Sequence, residues 1–166
     1  MHDTCIMQVV CNLQSASEDG LLRNQAMSNV VSYEAGRWSA LGDHVFQAGS
    51  RKGSGKVFLS ERLQSTGAEV SLNRLEAGQG YPFLHRHETH EEIYIVVSGT
   101  GDFLVDGQQI PLREGSTLRV APNGARSIRA SMGEPLCFLC IQAVDGTLKQ
   151  RTVADGRLVE GPVEWK

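Results

Sequence analysis

The sequence predicts an all-β fold, and three observations carry that prediction. Short apolar runs recur from position 57 onward at intervals of roughly ten residues, separated by Gly, Pro, Asn or Asp. Those runs are rich in β-branched and aromatic residues, which fit a pleated, half-buried surface. Between 57 and 146 there is no helix-period pattern of ordinary length, no heptad array and no long internal repeat. Such spacing belongs to a sandwich or barrel and not to a βαβ fold.

The elements follow in chain order. Residues 1–56 are rich in Ser, Asn, Gly and Gln and weakly periodic, so they read as an N-terminal arm or irregular extension with room for short strands. Residues 48–56, Ala-Gly-Ser-Arg-Lys-Gly-Ser-Gly-Lys, read as a loop or linker. Their glycines mimic a phosphate loop, but five residues separate Gly49 from Gly55, and Val57 stands where a hydroxyl residue is needed. Residues 57–146 read as the folded barrel. Val57, Phe58 and Leu59 open it. Ala68, Val70 and Leu72 then alternate with Glu69, Ser71 and Asn73, the period of a half-buried strand. Residues 93–97 form the strongest strand signal. Asp106-Gly107 joins residues 102–105 to 108–110 as a hairpin, because both central positions of that turn need positive φ. Strands are also expected at 117–121, 127–130 and 136–143. Residues 147–166 read as a tail of turns with one short strand, Trp165 packing on the barrel or on a partner chain.

Composition narrows the functional classes. The 166 residues are 40% hydrophobic and 21% charged, the range of a folded domain, with a net charge of −3. Residues 57–146 hold seven basic and eleven acidic groups. That balance argues against nucleic acid and against an anionic membrane as partners. No apolar run approaches the roughly 20 residues that span a bilayer, and the run around Cys5–Cys11 lacks the basic flank of a secretion signal, so a cytoplasmic location is expected. Cys5, Cys11, Cys137 and Cys140 are then expected as free thiols. The Cys137–Cys140 spacing resembles a redox pair, but on a strand residues three apart point to opposite faces.

Chemistry concentrates in Gly80-Tyr81-Pro82-Phe83-Leu84-His85-Arg86-His87-Glu88-Thr89-His90-Glu91-Glu92. His85 and His87, two apart on an extended chain, present both rings on one face. A tight turn brings Glu92, at the start of the next strand, back beside them. Two imidazoles and one carboxylate suit a first-row divalent ion and leave positions open for water or substrate. The alternative for so polar a stretch is a solvated turn. If Glu92 points inward, so do Tyr94 and Val96, and Tyr94 offers either a hydroxyl to a ligand or plain core packing. Arg126 is a candidate for an acidic ligand group or for a surface salt bridge.

These motifs resemble the two conserved motifs of the cupin superfamily. The first matches from His85 through His87 and Glu92 to Gly99, with four rather than five residues between Gly80 and His85. The second is recognisable from Gly115 through Pro122 and Gly124, with one extra residue before Pro122. The resemblance covers about residues 65–145 and implies a single cupin double-stranded β-helix, a jelly-roll barrel. It implies a metal site of His85, His87 and Glu92, with His90 as a further candidate, for Fe, Mn, Ni or Zn. It also implies a homodimer and a small-molecule ligand. Where the family's second motif has His, this chain has Ser127. Tyr94, Arg126 and Ser127 are the residues expected to touch the ligand. Three functions stay open: a metal-dependent oxygenase, isomerase or epimerase; a metal-free binding or sensing protein; and a structural module.

Overall fold

The computed structural model describes residues 29–165. Chain order runs from a 3-10 turn (Trp38–Asp43) through β1 (Val45–Ala48), β2 (Arg51–Ser54), β3 (Lys56–Phe58), a single helical turn α1 (Ser60–Leu63), β4 (Glu69–Leu75) and β5 (His90–Ser98). It continues with β6 (Gly101–Val105), β7 (Gln108–Leu112), β8 (Thr117–Val120), β9 (Arg126–Ala130) and β10 (Leu136–Val144). Two antiparallel sheets face each other. One has the order β3-β4-β10-β5-β8, the other β7-β6-β9. Residues 80–87 extend the smaller sheet along β9, through bridges from Gly80 to Arg129 and from His85 to Arg126.

The β-branched and aromatic runs form the strands because alternate residues find a common core. Tyr94, Val96, Leu136 and Phe138 from the larger sheet meet Phe103, Leu112, Ile128 and Ala130 from the smaller. The Tyr94 and Phe103 rings lie 4.8 Å apart, edge to face. Each fully buried large side chain contributes about 1.5–3 kcal/mol of transfer free energy. At the β6–β7 hairpin Asp106 and Gly107 take φ of 48° and 81°, as that turn requires.

Two expectations are corrected. Residues 48–56 are not a linker: Arg51–Ser54 is a strand paired with Val45–Ala48. The Phe46 ring lies over Gly53, 2.7 Å from where a Cβ would sit, and Gly55 turns at φ 78° against the Arg74 carbonyl. The second correction concerns β4. Its period is two, but Ser71 and Asn73 are the buried positions, while Val70 and Leu72 are only half-buried. Asn73 Nδ2 donates to the Ser71 carbonyl and hydroxyl, while its Oδ1 is buried with no partner among the described residues. Leu72 pairs with Val57 on the outer face, where Val57 and Leu41 of the 3-10 turn are almost wholly buried. Both faces of this edge are therefore covered.

The tail forms no strand between residues 147 and 165, and its Trp165 side chain is 91% exposed rather than packed on the barrel. Residues 1–28, with Cys5 and Cys11, lie outside the described residues. Among the described residues no helix is long and apolar enough to cross a membrane.

Candidate metal centre

The extended segment after β4 builds one wall of the site. From Tyr81 to His87, odd residues are half-buried and even ones exposed. Their rings form a row: Tyr81 stacks on Phe83 at 5.8 Å, Phe83 meets His85 at 6.2 Å, and His85 meets His87 at 5.5 Å. Backbone bonds to β9 hold this row, with His85 N–H donating to the Arg126 carbonyl at 3.1 Å and Arg126 N–H donating back at 2.9 Å. The chain then turns at Glu88 and Thr89 and enters β5, where Glu92, Tyr94 and Val96 are buried on one face.

The ligand atoms of His85, His87 and Glu92 all lie within 4.8 Å of one another. His87 Nε2 is 3.0 Å from Glu92 Oε1, and His85 Nε2 is 3.7 Å from Oε2. Metal bonds of about 2.0–2.2 Å put adjacent donors about 3 Å apart; His87 and Glu92 already have that spacing, and His85 lies farther out. His90 shares the parity of Glu92, but its Nδ1 engages Thr89 Oγ1 at 3.0 Å and it stands outside this group.

The two oxygens of Glu92 have different partners. Oε2 accepts from Tyr94 O–H at 2.5 Å and from Arg126 Nε and Nη2 at 2.9 and 2.8 Å. Oε1 faces His87, the Gln142 amide at 3.3 Å and the Cys140 thiol at 3.6 Å. Burial alone pushes the Glu92 carboxyl upward. Hydrogen bonds to His85, His87, Tyr94 and Arg126 together outweigh burial and hold it well below the usual carboxylate range. Burial, then the neighbouring Cys140 and Glu92, raises the Tyr94 phenol, so it remains a donor. The outcome is a carboxylate fixed through Oε2, which His85 also approaches, and presenting Oε1 to His87.

Arg126 is fully buried. Its remaining nitrogen, Nη1, donates to the carbonyls of Pro122 and Gly124 at 3.1 and 2.8 Å. The guanidinium thus neither lies on the surface nor has a donor nitrogen left for a ligand; it is the counter-charge of Glu92. Ser127, next along β9, turns to the other face and donates to the Tyr81 carbonyl at 2.8 Å. The position in the second motif that enters the interior is therefore Arg126, one residue before the one that motif spacing indicates.

Two contributors were not singled out by the motifs. Gln142 and Cys140 lie on β10, directly opposite Glu92 and Tyr94. The legible signal was parity: Leu136, Phe138, Cys140 and Gln142 share one face, and Gln142 is the polar member of that apolar series. Cys137 points the other way, toward Arg74 Nη1, and both thiols are free. Gln142 and His90 also line a cavity of about 240 Å³, together with Ser60, Thr66 and Glu69. A larger cavity of about 320 Å³, between Phe103, Ile110 and Leu118, contains none of the three ligand residues.

A family model described as the cupin domain matches residues 71–142. A cupin protein of known structure from Bacteroides fragilis is 47% identical, aligned over 63% of this chain and 89% of its own, with a TM-score of 0.61. An uncharacterized protein of Methanocaldococcus jannaschii is 33% identical over 57 residues, so the chain spans only 46% of the length of that curated relative. A structure from Thermotoga maritima, described as a predicted oxalate decarboxylase, is 27% identical over 45% of this chain and 64% of its own, with a TM-score of 0.43. A likeness that loose bears on neither substrate nor reaction.

Proposed function

Because the chain belongs to the cupin superfamily, a fold that hosts many unrelated chemistries, we propose that it holds a first-row divalent metal ion on His85, His87 and Glu92 and uses it to bind or transform a small organic molecule. The carrying observation is the convergence of three donors of the right chemistry within 4.8 Å, with Glu92 Oε1 turned toward His87. Fe, Mn, Ni and Zn all suit two imidazoles and a carboxylate. When bound, the ion supplies a Lewis acid for a ligand oxygen or a seat for dioxygen. Tyr94 and Arg126 hold the carboxylate in place, and the Phe83 ring packs edge-on against the His85 imidazole.

A second reading is favoured by one specific observation. Arg126 already neutralises Glu92 in a buried pair, so the pocket is charge-balanced without an ion. On that reading the protein is a metal-free ligand-binding or sensing cupin. Elemental analysis of protein purified without a histidine tag separates the two. The metal reading expects near-stoichiometric Fe, Mn, Ni or Zn, and a metal-induced rise in melting temperature that His85→Ala abolishes. Trace metal, together with identical melting of both proteins on adding each ion, rejects it.

We also propose a homodimer. The tail carries Leu148, Val153, Leu158, Val159, Val163 and Trp165, all largely exposed, and a second copy of the chain is the partner suited to cover them.

A further inference from the structure

We propose that Gln142 completes the coordination set, its side-chain amide oxygen taking the place of the second-motif histidine this chain lacks; this rests on the metal reading above. Strand register sets Gln142 beside Glu92 on the neighbouring β10. Its amide nitrogen is 2.8 Å from His87 Nε2 and 3.3 Å from Glu92 Oε1, and those two atoms are 3.0 Å apart. The triangle has the dimensions of adjacent donors around one ion, about 3 Å on a side for bonds near 2.0–2.2 Å. A half-turn about the last torsion of the glutamine exchanges nitrogen for oxygen at nearly the same position, and a carbonyl oxygen is a competent ligand.

The geometry separates this role from an outer one. A residue that merely supports a ligating histidine bonds the ring nitrogen turned away from the metal. Gln142 lies nearer Nε2, the atom facing Glu92, at 2.8 Å, than Nδ1 at 3.4 Å. The neighbours on β9 offer no rival. Arg126 is a cation with no acceptor, and the Ser127 hydroxyl is engaged on the opposite face. Gln142 also borders the 240 Å³ cavity, so a molecule entering there meets the coordination set at this side chain.

The test uses untagged, metal-stripped protein, with Zn²⁺ affinity measured by chelator competition and Co²⁺ absorption recorded in parallel. Wild type, His85→Ala, Gln142→Ala and Gln142→Glu are compared. Gln142→Ala is expected to weaken Zn²⁺ binding by about tenfold or more and to change the Co²⁺ bands. Gln142→Glu, which keeps the side chain's shape and so guards against a folding defect, is expected to bind at least as tightly as wild type and to show altered Co²⁺ bands as well. If wild type binds Zn²⁺, His85→Ala weakens it, and Gln142→Ala and Gln142→Glu match wild type in affinity and spectrum, the role of Gln142 is overturned and the metal reading stands. If wild type binds no Zn²⁺, both fall.

Discussion

At the scale of single residues, the pairing of Glu92 with Arg126 governs the interior. Removing one member of a buried pair leaves an uncompensated charge, whereas replacing both with apolar groups is often neutral. Arg126→Met is therefore expected to cost about 3–5 kcal/mol in urea unfolding, and Glu92→Leu combined with Arg126→Met to recover most of it. A loss under about 1 kcal/mol for Arg126→Met would show that the pair is unimportant to the fold. The buried acids near it have a pH consequence. Burial first, and Glu92 next, push the Cys140 thiol from 9.0 up to about 12, and burial also raises Tyr81 and Tyr94 from 10.0. Between the ordinary and the raised values the folded chain keeps protons that the unfolded chain releases. That part of the stability is present below about pH 9 and is lost as pH climbs toward 12. The urea midpoint should fall between pH 8 and pH 10.5, and less so in Cys140→Ala. Equal slopes for the two proteins would remove Cys140 from the account.

At the scale of elements, close backbone approach accounts for what glycines do here. A Cβ on Gly55 would stand 2.2 Å from the Arg74 carbonyl, at φ 78°. Gly55→Ala is expected to destabilise by about 2–4 kcal/mol, read from thermal or urea unfolding, and a neutral result would mean that the β2–β3 corner differs from this description. Strand positions were legible from the period of two and from Asp106-Gly107. The faces were legible only where a strand has one wet side. Around β4 the segment before β3 covers the outer face, so Val70 and Leu72 turn toward it while Asn73 Nδ2 donates to the Ser71 hydroxyl within. The same limit applies at β9. A one-residue change in where a strand begins reverses every side chain, and motif spacing alone does not tell whether Arg126 or Ser127 enters the core. The set His85, His87 and Glu92 was legible because it lies within eight residues. For Gln142 only its inward parity was legible; its place beside Glu92 is set by the register of β10 on β5.

At the scale of the whole molecule, the larger sheet carries the site on β5 and β10, and the smaller sheet supplies Arg126 and the aromatic row. The centre is therefore formed only when both sheets close on their common core. The tail contributes nothing to that core, with Leu158 and Trp165 at 103% and 91% exposure. If it lies on a second copy, deleting residues 147–166 should convert a dimer to a monomer in light scattering after size exclusion. A truncated chain that stays dimeric would move the interface to the barrel strands. An anomalous-scattering map of crystals grown with Zn²⁺ or Mn²⁺ shows directly whether the ion binds. A peak bonded to His85, His87 and Glu92 is expected, with Tyr94 and Arg126 still holding the second carboxylate oxygen. A map with no peak there at saturating metal would contradict the metal reading.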